Sequence, residues 1–524
     1  MKRVLHLVAF LLAALCGARG DDAAPKPFVA RNERTVRALA GDLGHENRDV
    51  RAEAAWALGL LRRDDLADRV LLLLGETEPP VARLAAAEAL GRMGATAAAP
   101  RLAAIAASDA SPELRAEAVT ALAALKGPAA GDALRQAAQD PDPIIRMRAA
   151  RLLAGVDADP GPLLALLSDG DDPVRRRALL SLARLWAGQR GKPIAGADAT
   201  AAKLAAMLDD PEPMIRAGAC DALGELRVNT TALKLIERLG DAHYLVRRQA
   251  ARALGVQAAT AAGPTLIARL GDGDYTVRVA AAWALGEIRP RAGIVPLADR
   301  LEDRWPEVRD AAKHALVKHD VTQALAAVSE KLLHSPRVEA RRRAAWVLAE
   351  WGDPSVGDAA AEGIKDQDVV VRAEALRALR RAGDRRAVPH ALKVLAWERR
   401  WVRDYTEIEE AYQVAAQFKD PEFVPLIMRR LELAPRWSAL SMGQTPPPAD
   451  GRDVAAALLA AGHFKRPEMT ALIRRAVGDL AMGGLAEQAL AIAEGREYVP
   501  PSAGPKAPGV KTFYVTCFDE KKGR

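Results

Sequence analysis

The side chains in this sequence best equipped for chemistry are suited to recognition. Trp56, Trp283 and Trp346 recur in one local context, A-W-A/V-L, and the last two stand 63 residues apart with His314 between them. Arg248, Arg252, Arg342, Arg343 and Arg377 are spread through the same stretch. Trp and Arg are the residues that most often carry binding energy in interfaces. Trp283, Trp346 and His314, together with these five arginines, are therefore read as a partner-binding surface. A second aromatic and basic cluster, ERRWVRD at 398–404, brings Arg399, Arg400 and Trp401 next to Trp397.

Signatures of bond-making chemistry are missing from the sequence. It contains no H-E-x-x-H, G-x-S-x-G, phosphate-binding G-x-x-x-x-G-K-S/T or dinucleotide G-x-G-x-x-G. GDGD at 271–274 lacks the ligand spacing of a calcium loop. The histidines are scattered, and His314 and His319 fall about 140° apart around a helix, on different faces. Cys220 stands where other repeats carry Ala, as a core thiol would; Cys517 lies in the tail. No catalytic residue, cofactor or metal site is expected.

The elements that must position the tryptophans and arginines are set by a repeat. NRDVRAEAAWALG (47–59), GDGDYTVRVAAAWALG (271–286) and DQDVVVRAEALRAL (366–379) are variants of one unit. With its arginine as origin, the unit registers at Arg51, Arg83, Arg115, Arg146, Arg175, Arg216, Arg247, Arg278, Arg309, Arg341, Arg372 and Arg403. The intervals are 29–32 residues, apart from 41 between Arg175 and Arg216, where AGQRGKPIAGA (187–197) is read as an insertion. A leucine follows seven residues after each of the first eleven origins, from Leu58 to Leu379. An earlier pair spaced by four, such as Leu235/Leu239 or Leu266/Leu270, marks a preceding helix. Each unit is thus two short helices, A and B, which bury their apolar stripes only by stacking on neighbours. On helix B, positions −1, +3, +4 and +7 face the core, while +1, +2 and +5 face away. The tryptophans and His314 occupy +5.

The turn between A and B has its own logic. An Asp stands six residues before most origins, and Pro follows it in DPDP (140–143) and DPEP (210–213). Asp and Pro suit a capped helix start, where free N–H groups need an acceptor. Asp210, Asp241, Asp272 and Asp303, with Arg216, Arg247, Arg278 and Arg309, are read as a structural ladder. Each guanidinium would fork onto a carboxylate of its own or the neighbouring turn.

A unit of about 31 residues with the pattern D-P-x-V-R-x-x-A-A-x-A-L-G resembles the HEAT repeat. More closely, it resembles the short HEAT-like repeats of phycobilisome lyase subunits. The resemblance covers residues 40 to about 430 and implies an all-α solenoid (superhelix) of about twelve helical pairs, with helix B on the concave side. Proteins of this kind serve as scaffolds, adaptors, transport factors and, occasionally, lyase subunits. No bilin-attachment activity is carried over.

The ends of the chain read differently. Lys2 and Arg3 precede an apolar stretch, Val4 to Cys16, and Ala18-Arg19-Gly20 offers a signal-peptidase site before Asp21. The stretch is shorter than the roughly 20 residues that cross a bilayer. Residues 1–20 are read as a signal peptide, 21–39 as a lead-in and 40–434 as the solenoid. A Pro/Gly-rich loop at 435–451, a helical cap at 452–495 and a linker with a short tail at 496–524 complete the chain. The formal charge of +7 falls to +4 without Lys2, Arg3 and Arg19, which argues against nucleic acid as a partner. The expectation is a non-catalytic secreted or periplasmic binding or scaffold protein, with no membrane span after cleavage. It would engage a protein or peptide, with an acidic glycan as a further partner class, on the concave face. The alternatives are a subunit of a bilin-lyase-like cofactor-attachment enzyme and a structural component of an envelope assembly.

Overall fold

The computed structural model describes residues 26–156, 159–189, 194, 196–396, 406–432, 450–477 and 483–498. Every regular element among them is helical. The chain divides into two compact units, one ending at Val228 and the other beginning at Asn229.

In the first unit the B helices are α1 (Arg48–Leu60), α2 (Pro80–Met93), α3 (Pro112–Leu125), α4 (Pro143–Val156), α5 (Asp172–Gly188) and α6 (Pro213–Leu226). In the second they are α7 (Tyr244–Val256), α8 (Tyr275–Ile288), α9 (Pro306–Val317), α10 (Val338–Trp351) and α11 (Val369–Arg381). Several start on Pro, which needs no hydrogen-bond acceptor at a helix N-terminus. Others start on a side-chain cap: Asp274 accepts from Thr276 N at 2.8 Å, and Asp368 from Val370 N at 3.1 Å. The A helices are short and often open with a 3-10 turn, as at Thr260–Ala262 before Gly263–Arg269. Beyond α11 come α12 (Thr406–Phe418), Phe423–Glu432, and the C-terminal helices Asp450–Phe464, Pro467–Ala476 and Gly483–Glu494.

The core follows the register. Leu58, Leu90, Leu153, Leu182, Leu254, Leu285, Leu316, Leu348 and Leu379 are all fully buried. Burying one such side chain is worth roughly 1.5–3 kcal/mol. None of the +5 residues is buried, from Trp56 to Arg377. Neighbouring B helices approach closely because small residues face each other. A Cβ added to Gly286 would lie 2.8 Å from Ala315 Cα, so only glycine permits this spacing of α8 and α9.

The turn arginines form one recurring arrangement. Arg115 Nε donates to Asp140 at 2.9 Å and Arg146 Nε to Asp169 at 2.7 Å. In the second unit Arg247 binds Asp272 (2.8 Å), Arg278 binds Asp303 (2.9 Å) and Arg341 binds Asp366 (2.7 Å). The carboxylate thus belongs to the next turn, while the same guanidinium donates to the backbone of its own. Arg216 reaches Asp210 O at 2.8 Å, Arg247 reaches Asp241 O at 2.9 Å, and Arg278 reaches Asp272 O at 2.8 Å. Burial pushes the Asp303 carboxyl up, but Arg278 and the Trp305 N–H outweigh it and hold the group below its ordinary value. The rung fails at Arg309. This side chain donates to Asp303 O at 2.8 Å, but Ser335 occupies the turn position that would supply its carboxylate, and its buried Nε has no acceptor.

Candidate binding groove

In the second unit, α7, α8 and the first turn of α9 frame a groove of about 420 Å³. Arg248 and Arg252 line it from α7, Tyr275, Val279 and Trp283 from α8, and Glu307 from α9. Three of the residues singled out in the sequence, Arg248, Arg252 and Trp283, therefore share one site. The local fold explains the pose of Trp283. Its indole rests on Gly255, where an added Cβ would sit 2.6 Å from the ring, and the side chain stays 36% exposed. Tyr275 is held by stacking on Trp305, with centroids 4.4 Å apart and planes 14° from parallel. Arg248 and Glu307 form no hydrogen bond or ion pair with any described residue. The groove therefore presents aromatic surface between one cation and one anion that the fold leaves unmatched.

Trp346 occupies the same +5 register two repeats later, yet its surroundings differ. Lys313 Nζ lies 4.3 Å from its ring centroid, and His314 meets the ring edge-on at 5.1 Å. Trp346 is only half-exposed, and it packs against α9 instead of lining the groove. Burial and the Lys313 ammonium hold the His314 imidazole below its ordinary pKa, so it is neutral at pH 7.

The remaining arginines of the set are engaged within the fold. Arg342 forks onto Asp368 at 2.6 and 2.9 Å. Arg343 pairs with Asp310 at 3.1 Å and Glu339 at 3.4 Å. Arg377 binds Glu350 at 2.6 Å and Glu374 at 3.3 Å. Burial raises the Glu374 carboxyl above its ordinary value. Trp397, Arg399, Arg400 and Trp401 lie outside the described residues.

Sequence reasoning missed several participants. Tyr275 and Glu307 sit at −3 and −2 of their helices, positions the +1/+2/+5 rule does not cover. Lys313 occupies +4, where the other repeats up to Arg372 carry Ala, Val, Leu or Cys; that departure was the available signal. Glu407, on α12, was missed as well. It stands in for the turn Asp as partner of Arg372 (2.7 Å) and also contacts His390 at 3.0 Å. Burial pushes this carboxyl up, but His390 and Arg372 outweigh burial and bring it down to about 2.

Among the described residues, no group of three or more His, Cys, Asp or Glu side chains is placed to hold a metal, and no helix is long and apolar enough to cross a membrane. Cys220 is buried in α6.

The fold is similar to solved import receptors. A crystal structure of importin-β superposes with a TM-score of 0.58 at 13% identity, over 88% of this chain and 71% of that one. Kap95p, the yeast importin-β, described as inducing the switch loops of RanGDP to adopt the GTP-bound conformation, gives 0.54 at 14% identity over 90% and 78%. The karyopherin Kap121p, bound to the extreme C-terminus of the protein phosphatase Cdc14p, gives 0.51 at 14% over 93% and 62%. These likenesses correct two expectations. The finer resemblance to phycobilisome lyase repeats is not upheld: the structures that align along nearly the whole chain are of importin and karyopherin type. The repeat motif records how helices stack, so it identifies the HEAT repeat and nothing finer. The secreted or periplasmic location is withdrawn as well. The matched receptors include a protein of nuclear import complexes, and the leader on which that location rested lies outside the described residues. No curated protein matches the chain in sequence. The family model for HEAT repeats matches residues 36–123, 100–183, 160–242, 232–317 and 325–409, and with most of its length so matched the chain belongs to the HEAT-repeat family.

Proposed function

We propose that this chain is a non-catalytic binding protein that takes an extended segment of a protein partner into the groove on α7, α8 and α9. The observation that carries the reading is the exposed Trp283 beside Tyr275, between Arg248 and Glu307, two charged groups without internal partners. Desolvated aromatic anchors carry most of the energy in such interfaces, and charges at the rim set orientation and salt dependence. Kap121p holds the C-terminus of another protein, and Kap95p engages RanGDP; both use the same kind of helical array. A site of about 420 Å³ accommodates one or two partner side chains, so the rest of an interface must spread along the helix-B face.

The test places a photo-reactive residue at Ala280, on the groove floor, and compares the cross-linked species with those of the same chain carrying Trp283→Ala or Trp56→Ala. One partner should cross-link from position 280, lose at least tenfold in yield with Trp283→Ala, and remain with Trp56→Ala. Undiminished cross-linking by the Trp283→Ala chain would show that the groove is not the site.

A further inference from the structure

The first unit carries a second pocket, built differently. Met147 of α4, Pro173, Arg176 and Arg177 of α5, and Met214 and Ile215 of α6 enclose about 210 Å³. A dry cavity of ~150 Å³ suffices for benzene, so this space holds one phenylalanine or leucine side chain. The two methionines are half-exposed and adaptable, as surfaces that receive varied apolar groups require. Exposed apolar residues flank the pocket on the same helices: Ile144 is 59% and Leu180 38% exposed.

Its electrostatics are net positive. Of the two carboxylates at the rim, Asp172 pairs with Arg175, while Glu212 accepts only a backbone hydrogen bond, from Met214 N at 3.3 Å. Arg176 and Arg177 form no hydrogen bond or ion pair with any described residue. Arg148, the residue after the methionine of α4, differs: it is tied to Glu117 and Thr120. An apolar cavity edged by two unmatched guanidiniums against a single carboxylate without an ion pair keeps a net positive charge, which selects for negative charge around an apolar anchor.

We infer that this pocket is a second docking site, for an acidic linear peptide segment that inserts one large apolar side chain between Met147 and Met214 while its carboxylates meet Arg176 and Arg177. The site does not depend on the groove of the second unit, which has a different charge pattern.

The probe is a fluorescein-labelled peptide with Leu-Phe flanked on each side by three Asp or Glu residues. Anisotropy is read with the full chain carrying Trp283→Ala, so the other groove does not contribute. Binding should be saturable at about 50 mM salt. It should weaken at least tenfold with Arg176→Ser/Arg177→Ser, and it should vanish when Leu-Phe is replaced by Ser-Gly or the acids by Lys. A benzophenone in place of the Phe ring should cross-link to α4 and α6 at their methionines. Circular dichroism of the arginine variant should match that of the parent chain, since Arg176 is exposed and Arg177 half-buried. No saturable binding, binding indifferent to the two arginines, or cross-links confined to other helices would each overturn the assignment.

Discussion

The turn edge and the helix-B face of the second unit carry the same repeat but treat it differently. Along the turns Arg247, Arg278 and Arg341 each bridge a carboxylate of the next turn to a carbonyl of their own. On the helix face Trp283 and Trp346 share a register, yet one floors an open groove and the other lies under Lys313 and His314. Both partners of a turn contact belong to the repeating motif, so the contact recurs with it. A face contact depends on whichever residue the adjacent repeat happens to place at +4 or +5. Regular spacing therefore propagates structure, and departures from it make sites.

The largest expected effect probes the end of the turn series. Glu407→Gln should cost about 3 kcal/mol at pH 7, because lowering a carboxyl from 4.5 to about 2 corresponds to ~1.36 kcal/mol per unit. The folded state favours the carboxylate, so this contribution is complete above the ordinary carboxyl range and is lost as pH falls through about 2. Urea unfolding should show the gap between wild type and variant shrinking to ~1 kcal/mol at pH 3. A gap below ~1 kcal/mol already at pH 7 would mean that the substitute carboxylate does not act as a rung.

Next comes the contrast between the tryptophans. Trp346→Ala should cost about 2 kcal/mol of stability, because it removes half-buried ring surface and the contacts with Lys313 and His314. Trp283→Ala should cost less than ~1 kcal/mol while removing ~2 kcal/mol or more of partner binding. Equal stability costs would show that register, and not the covering neighbour, decides the role.

A smaller gain is expected at the missing rung. Ser335→Asp should stabilise by up to ~1 kcal/mol by supplying Arg309 with a carboxylate. In an Arg309→Ala background the gain should disappear, and a double-mutant cycle reads that coupling directly. The smallest effect belongs to His314. Its pKa is depressed in the fold, so the stability it contributes is present above the unfolded value of 6.5 and is lost as pH falls below it. The imidazole is partly exposed and screened, so His314→Gln should remove only a few tenths of a kcal/mol of the change between pH 7 and pH 5.

The all-helical solenoid was legible because Arg, Asp and Leu recur at fixed offsets, and those offsets are what the stacked helices reproduce. The pairing of Trp283 with Arg248 and Arg252 was legible in part, since +1 and +5 share a helix face. The involvement of Tyr275 and Glu307 was not: Tyr275 opens the helix that carries Trp283, ahead of the positions the rule covers, and Glu307 reaches the groove from the neighbouring repeat. The cover over Trp346 was hidden for the same reason. Arg342, Arg343 and Arg377 looked available because a one-dimensional reading has no means of assigning Asp368, Asp310 or Glu350 to them. Glu407 lies 35 residues from Arg372, outside the repeat interval that made every other rung visible.

The vacancy beside Arg309 has a mechanical meaning. A stack of repeats loaded along its length yields at its weakest joint, because each joint bears the same force. In the second unit α9 and α10 lack the turn clasp that ties α7 to α8 and α8 to α9, and the ion pair that links them, Arg343–Asp310, lies on the helix face with its carboxylate half-exposed. A tethered second unit pulled in an optical trap should therefore first lengthen by parting between α9 and α10, leaving the groove on α7 to α9 intact on one fragment. Ser335→Asp should raise the force of that first event and shift the rupture elsewhere.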